Sequence, residues 1–192
     1  KYLYICRDGR DVLWSMYNHH ATANAFWYEA LNDTPGRVGP AIEPPPESIV
    51  AYYHGWLDGN GHPWWPFWEN IRSWWDIREL PNVMLLHYGN LKQDLAGEIR
   101  RIAEFLDTPI AEDQWAAILR HCSFDYMKEH AGKTVPLGGA FWDGGAPTFI
   151  HKGTNGRWRE VLSAADVAKY ERLAEDNLGS ACARWLATWQ SD

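Results

Sequence analysis

The fold is decided by the stretch YLYICRDGRDVLWS, residues 2–15. Its first five residues are apolar or aromatic and predict a short buried strand, Tyr2–Cys6. Asp8 stands where a helix N-cap is expected, and Asp11 falls in the first turn, where an acidic side chain complements the helix dipole. The stretch therefore predicts a strand, a tight turn and a helix that begins near Gly9.

A second apolar stretch, VMLLHY at residues 83–88, predicts another strand, which Gly89 and Asn90 end. Strands that alternate with amphipathic helices indicate an α/β protein with a parallel sheet. Ligands of such sheets bind beyond the carboxyl ends of the strands, so Arg7 and Tyr88 predict one shared site. Helical patterns are expected from Gly9 to about Tyr28 and over Ser48–Leu57, Trp64–Glu79, Asp94–Leu106, Glu112–His121, Ser123–Glu129 and Ala164–Trp189 with a break near Gly179.

Two loops and the missing strands complete the expected organisation. Residues 32–47 and the glycine-rich residues 131–157 show no periodicity, and a loop as long as the second is usually functional. A buried strand at residue 2 needs neighbouring strands, and few others are found. We therefore expect a chain that is truncated upstream.

Composition excludes several classes of protein. The 192 residues suit one domain over residues 1–192, with 18 basic against 25 acidic side chains and a formal charge of −7. That balance argues against a nucleic-acid or anionic-membrane surface but leaves room for one small basic pocket. Cys6, Cys122 and Cys182 have neither metal-site nor disulfide spacing, which predicts buried free thiols in the cytoplasm and no metal.

Three short segments carry residues suited to a phosphorylated ligand. Arg7 and Ser15 can converge on one phosphate, although spacing alone favours an Arg7 ion pair with Asp8 or Asp11. The loop HKGTNGRW, residues 151–158, places basic side chains among glycines whose N–H groups can approach an anion, and an ordinary basic turn is equally compatible. The aromatic rings of Tyr88 and Phe124 can stack on a base, or belong to the core.

Together these segments resemble the cytosolic-type sulfotransferase family. The family has an Arg and a Ser eight residues apart, a strand that ends in Tyr followed by a helix, a Thr-Ser-Phe segment and a loop of the form Arg-Lys-Gly-x-x-Gly-x-Trp. The counterparts occur in the same order and span residues 2 to about 160: residues 6–15, 82–88, 98–106, 121–127 and 149–158.

The resemblance implies a P-loop-like three-layer α/β/α fold with a parallel sheet, incomplete at its N-terminus. It implies sulfuryl transfer from 3′-phosphoadenosine 5′-phosphosulfate (PAPS) to a hydroxyl or amine of a small hydrophobic or aromatic acceptor. Arg7, Ser15 and Lys152 would bind the 3′-phosphate, and Tyr88 and Phe124 would flank the adenine. The full set implied to bind PAPS, or its product adenosine 3′,5′-bisphosphate (PAP), is Arg7, Ser15, Tyr88, Cys122, Ser123, Phe124, Phe149, Ile150, His151, Lys152 and Gly153.

The chain also departs from the family pattern. His151 replaces an Arg, which makes the charge there pH-dependent, and Cys122 replaces a Thr. The phosphosulfate loop and the catalytic His of the family lie before residue 1, so no catalytic residue is expected within this chain. Residues 159–168 depart from the family's dimerisation segment, which leaves the oligomeric state open.

The acceptor pocket is expected to be aromatic, with residues 137–147 as a lid. Two other functions stay open. A kinase-like phosphotransferase would need a Walker A loop and acidic magnesium ligands, which the sequence does not show. A glycan-binding module would use the 13 tryptophans as exposed coplanar platforms and would not bind PAP. The expected acceptor walls are Trp14, Phe26, Trp27, Trp64, Trp65 and parts of the loops 32–47 and 137–147.

Overall fold

The computed structural model describes residues 1–189. Residues 190–192, the last three of the predicted domain, lie outside the described part. Two 3-10 turns, Pro136–Gly139 and Arg157–Glu160, accompany the strands and helices. The elements are β1 Tyr2–Cys6, α1 Gly9–Ala21, α2 Ala25–Asn32, α3 Ile49–Asp58, α4 Phe67–Asp76, β2 Val83–His87, α5 Tyr88–Gln93, α6 Leu95–Leu106, α7 Glu112–His121, α8 Phe124–Glu129, α9 Ala131–Thr134, α10 Ala146–Phe149, α11 Ala164–Leu178 and α12 Ser180–Thr188.

The two strands form the parallel sheet that the sequence predicts. Their register runs from Tyr2 opposite Val83 to Cys6 opposite His87, so the carboxyl ends of both strands meet at one edge. The prediction that β1 is buried is wrong, because Tyr2, Leu3 and Ile5 are 57%, 42% and 54% exposed. The reason is that β1 pairs along one edge only, with no second neighbour in the part of the chain that the structure describes.

The main core lies between helices that flank this sheet. Helix α1 packs on α3, and α11 packs on both α4 and α12. None of the helices within residues 1–189 has the length and apolar character that a membrane crossing needs. The largest fully buried side chains include Leu13, Tyr53, Ile71, Tyr170 and Leu186.

The start of α1 is held by a buried ion pair. The Asp8 carboxylate accepts from the Arg10 backbone N–H at 2.9 Å, which confirms the predicted N-cap, and from Arg10 Nη2 at 2.7 Å. The Arg10 guanidinium lies 3.8 Å from the centre of the Trp158 ring and 4.7 Å from that of Tyr170. The Tyr170 hydroxyl accepts from the Gly9 N–H at 3.0 Å. This cluster fixes the turn between β1 and α1, and therefore the position of Arg7.

Several predicted boundaries are wrong for local reasons. Helix α1 ends at Ala21 rather than near residue 28, because Asn24 caps a separate helix by accepting from Trp27 N. Helix α4 begins at Phe67, three residues later than predicted, with Pro66 as its N-cap. Tyr88 does not extend β2 but begins α5, since His87 Nδ1 accepts from the Gly89 N–H at 2.9 Å and caps that helix.

The glycine-rich residues 131–157 are not structureless, which corrects the expected long loop. The segment contains α9, α10 and a 3-10 turn. It is tied to the end of α1, because Ala23 bridges Trp142 and the Asp143 N–H donates to Thr22 O at 2.8 Å. A second small core sits inside it, formed by Ala131, Val135, Trp142 and Ala146.

Acid should destabilise the fold through His87, whose side chain is 1% exposed. Nδ1 accepts from Gly89, and Nε2 lies 3.0 Å from Leu186 O, so the neutral ring satisfies both partners. Burial lowers the pKa of His87, and burial also lowers the pKa of His19 and His20. The unfolded chain therefore binds more protons than the native one as pH falls through about 6.5, and the free energy of unfolding should fall with it.

Urea titrations at pH 7.5, 6.5 and 5.5 measure this dependence. His87→Asn keeps an N-cap acceptor but removes the bond to Leu186, so it should cost about 1–2 kcal/mol at pH 7.5 and flatten the pH dependence. An unfolding free energy that rises between pH 7.5 and 5.5 would contradict the prediction.

Candidate functional site

Nine of the eleven predicted site residues line one cavity of about 170 Å³ at the carboxyl edge of the sheet. Arg7 follows β1 and Tyr88 follows β2, while the other predicted residues come from α1, α8, the end of α10 and the loop after it. The cavity is lined by Arg7, Asp11, Trp14, Ser15, Asn18, His19, Tyr88, Phe124, Phe149, Ile150, His151, Lys152, Gly153, Thr154 and Arg157.

The Arg7 guanidinium joins the two sides of the cavity. Arg7 Nε donates to Asn155 Oδ1 at 2.9 Å and Nη2 donates to Thr154 O at 2.8 Å. The guanidinium carbon lies 4.6 Å from the centre of the Tyr88 ring. Burial lowers the pKa of Arg7. Arg7 is therefore oriented by a backbone oxygen, an amide and an aromatic ring.

The alternative in which Arg7 forms an ion pair with Asp8 or Asp11 is wrong. The Asp8 carboxylate is occupied by Arg10, and Asp11 Oδ1 accepts from the Gly156 N–H at 2.7 Å. No ion pair of Arg7 occurs among residues 1–189. Asp11 thus holds the glycine loop against α1, while its own pKa is raised by burial.

Gly153 allows the basic loop to lie against Phe124. Its φ is +58°, and a Cβ at this position would lie 2.5 Å from Phe124 Cε2. A residue with a side chain could therefore not occupy position 153 unless Phe124 or the loop backbone moved. The Tyr88 hydroxyl donates to Gly153 O at 3.4 Å, so the two aromatic rings and the loop backbone form one wall of the cavity.

Helix α1 also contributes to the lining of the cavity. Ser15 lies two turns after Arg7, as the spacing predicts, and both line the cavity. His19, one turn further on, has its ring centre 4.5 Å from that of Phe149. Its pKa is lowered by burial and then by His151, so the imidazole is neutral at pH 7.

The basic loop brings Lys152 to the same cavity as Arg7, as predicted. His151 Nδ1 lies 3.1 Å from Asn18 Nδ2 and 3.4 Å from Arg157 Nη1. Both neighbours are N–H donors, so His151 Nδ1 must accept with its lone pair. The imidazole is therefore the neutral tautomer that carries its proton on Nε2. Burial lowers the pKa of His151, and the cationic Arg157, Lys152 and Lys128 lower it further.

Cys122 and Ser123 do not line the cavity, and their place in the binding site stays a prediction. The Ser123 hydroxyl donates to Arg120 O at 2.7 Å and accepts from Tyr126 N at 3.2 Å, so it caps α8. Cys122 is a free thiol at the C-cap of α7, and it is exposed, so the prediction of a buried thiol is wrong here. Phe124, the next residue, does reach the cavity because it begins α8.

Sequence reasoning missed five lining residues. Arg157 had a signal, since it is a basic residue in the same glycine loop as Lys152. Asn18 and His19 had one too, because they follow Ser15 by three and four positions on the same helix face. For Asp11 and Thr154 there was no signal in the sequence other than their nearness to predicted site residues. All five line the cavity.

The expected acceptor walls are brought together only in part. Trp14 lines the cavity, and Phe26 stacks on Phe141 of the expected lid segment with ring centres 5.0 Å apart. Trp27 and Trp64 pack edge to face at 5.8 Å. Trp65 instead lines two other cavities.

The charges of the cavity suit an anion with an aromatic base. Arg7, Lys152 and Arg157 face one carboxylate, Asp11, which already accepts from a backbone N–H. A guanidinium, an ammonium and glycine N–H groups are the donors that bind phosphate in proteins. The rings of Tyr88 and Phe124 offer flat surfaces beside these donors.

Comparison with known proteins agrees with this geometry. Residues 1–181 match the family model described as "Sulfotransferase domain". Rat Sulfotransferase 2A6 is 28% identical over 178 residues, which cover 93% of this chain and 56% of that protein. Mouse Sulfotransferase 1B1 is 27% identical over 192 residues, which cover 100% of this chain and 58% of that protein. The chain thus spans a little over half the length of these relatives.

Solved structures show the same fold. Mouse sulfotransferase SULT7A1 complexed with PAP superposes with a TM-score of 0.71 at 21% identity, covering 97% of this chain and 61% of that one. Retinol dehydratase in complex with androsterone and inactive cofactor PAP gives a TM-score of 0.66 at 25% identity, covering 92% and 46%. With the family model matched over residues 1–181 and the α/β sulfotransferase fold superposed, the chain belongs to the sulfotransferase family.

Proposed function

We propose that the chain is the nucleotide-binding part of an enzyme that transfers a sulfuryl group from PAPS to a small acceptor. The observation that carries the proposal is the meeting of Arg7, Ser15 and Lys152 in one cavity with the rings of Tyr88 and Phe124. The residues fit the cofactor, since the cationic donors suit the 3′-phosphate and the rings suit the adenine. Relatives complexed with PAP support the same ligand.

The residues of this chain bind and orient the nucleotide. PAPS supplies the sulfuryl group that is transferred. Arg7 and Lys152 place cationic donors at the 3′-phosphate, and Ser15 adds a hydroxyl donor from α1. Holding the nucleotide end of PAPS fixes the position of its sulfuryl group. Such orientation of the reacting group accelerates the transfer.

For the acceptor we propose a small hydrophobic or aromatic alcohol or amine. Trp14 beside the nucleotide cavity and the stacked rings of Phe26 and Phe141 support an apolar pocket. Structures of retinol dehydratase with androsterone and with retinol concern apolar ligands of this kind. Residues 137–147 stay a candidate lid.

The free thiols of all three cysteines support the cytoplasm as the location.

The burial of the tryptophans weighs against the glycan-binding alternative. Of the 13 tryptophans, only Trp65 is exposed among residues 1–189, at 43%. A single exposed ring does not make the coplanar platform that stacking on a glycan requires.

PAP should stabilise the protein. At a concentration of about 100 times its Kd, a ligand of the native state adds roughly 2.7 kcal/mol, which corresponds to about 5–10 °C in Tm for a chain of this size. Lys152→Ala removes one cation from the phosphate and should weaken binding about tenfold, which halves the shift. Differential scanning fluorimetry of the purified protein with and without PAP measures both.

Lys169→Ala is the matched control, because this exposed lysine pairs with Asp58 away from the cavity. Its shift with PAP should equal that of the wild type. An unchanged Tm of the wild type over PAP concentrations up to 1 mM would refute the proposed function.

A further inference from the structure

Arg157 is a cation of the cavity that the roles above leave unused. It lines the cavity together with Arg7 and Lys152, and no carboxylate lies within ion-pair distance of it in the described range, residues 1–189. The charge of Arg157 contributes to lowering the pKa of both Arg7 and His151. Partly buried cations that repel one another gain when an anion enters between them.

The backbone on both sides of Arg157 is fixed, which gives its side chain a defined direction. Gly156 precedes it with φ of +81° and donates its N–H to Asp11 Oδ1 at 2.7 Å. Trp158 follows it, is 4% exposed and lies under the Arg10 guanidinium. The loop cannot shift Arg157 without breaking the bond to Asp11 or exposing Trp158.

His151 holds the guanidinium toward the cavity. Arg157 Nη1 lies 3.4 Å from His151 Nδ1, and both residues line the cavity. Because this ring nitrogen accepts from Asn18 as well, the neutral imidazole bridges α1 and the loop. A guanidinium has five N–H donors, so this one contact leaves others for an anion.

We propose that Arg157 is a third cationic ligand of the phosphate that Arg7 and Lys152 bind, an inference that rests on the proposed function. Three cations against Asp11 give the cavity a net charge of +2, because His19 and His151 are neutral at pH 7. That charge matches a phosphate dianion. Arg157 therefore determines specificity for a nucleotide with a second phosphate over one without it.

The test compares two nucleotides that differ in one phosphate. Isothermal titration at pH 7.5 gives the Kd of PAP and of adenosine 5′-monophosphate for wild type and variants. Arg157→Ala should weaken PAP binding about tenfold and change the Kd of the monophosphate less than twofold. Arg157→Lys keeps the charge and should recover most of the loss, which also covers the case in which the alanine variant does not fold.

Arg159→Ala is the matched control. Arg159 is two residues further along the same turn and stacks on Trp158 at 4.4 Å, but does not line this cavity. It should bind PAP as the wild type does. Folding of Arg157→Ala is checked by its Tm without ligand, and the pKa of His151 by NMR should rise because a neighbouring cation is gone.

The outcomes separate the two proposals. If wild type binds PAP and Arg157→Ala binds it equally well, the inference about Arg157 is wrong and the proposed function stands. An equal loss of affinity for both nucleotides also overturns the inference, because the effect would then not depend on the 3′-phosphate. If wild type binds neither nucleotide, both proposals fail together.

Discussion

Asp8→Ala should lower the free energy of unfolding by about 3–5 kcal/mol, the largest stability effect expected of any single substitution in the turn after β1. Asp8 and Arg10 are 7% and 3% exposed, and the carboxylate accepts from the Arg10 side chain and from its backbone N–H. Alanine would remove the N-cap of α1 and leave the buried Arg10 guanidinium with one carboxylate partner, Glu171 at 3.3 Å, besides the rings of Trp158 and Tyr170. Urea unfolding followed by tryptophan fluorescence measures the loss, which corresponds to about 10 °C in Tm.

Two variants separate the ion pair from the cap. Asp8→Asn keeps an acceptor for the helix N-terminus and should lose about half as much. Asp8→Ser with Arg10→Met keeps the cap and places an apolar side chain between Trp158 and Tyr170, so it should regain most of the stability. A loss below 1 kcal/mol for Asp8→Ala would show that the pair is solvated in solution.

The elements with their own sequence signals could be predicted. Helix α6 has a clear apolar face and an Asp94 cap, and it begins within one residue of its predicted start. Residues 131–157 could not, because their helical turns depend on contacts with residues 22–24 rather than on local periodicity. The exposure of β1 also escaped prediction, since apolar composition does not tell how many strands are adjacent.

The site could be predicted from the sequence where the order of strands and helices alone places a residue. Arg7 and Tyr88 follow two strands that turn out to be parallel, so they had to meet at one edge. What the sequence could not decide was the partner of Arg7. That depended on Arg10, which takes the Asp8 carboxylate and thereby leaves Arg7 for the glycine loop. The helix-capping contact of Ser123 could not be foreseen, because a hydroxyl that caps a helix and one that binds a ligand look alike in sequence.

Arg7→Ala should weaken PAP binding by about 100-fold or more, the largest functional effect among these substitutions. The phosphate would lose its charge-assisted contact with the guanidinium. The bonds to Thr154 O and Asn155 Oδ1 would be lost as well, so the loop that carries Lys152 would lose its anchor. Each charge-assisted hydrogen bond contributes about 1.5–3 kcal/mol, and a factor of 100 needs about 2.8 kcal/mol. Titration calorimetry with PAP measures the change.

The form of the loss distinguishes binding from unfolding. Arg7 is only half-buried, so the Tm of Arg7→Ala without ligand should fall by about 3 °C or less while the shift with PAP nearly disappears. Arg7→Lys keeps the charge but cannot donate to Thr154 and Asn155 at the same time, as the guanidinium does. Its affinity for PAP should be about tenfold weaker than that of the wild type. Arg72→Ala on α4, whose guanidinium donates to Asn177 O, should bind PAP like the wild type. Equal PAP affinity for Arg7→Ala and Arg72→Ala would mean that the nucleotide phosphate is held elsewhere.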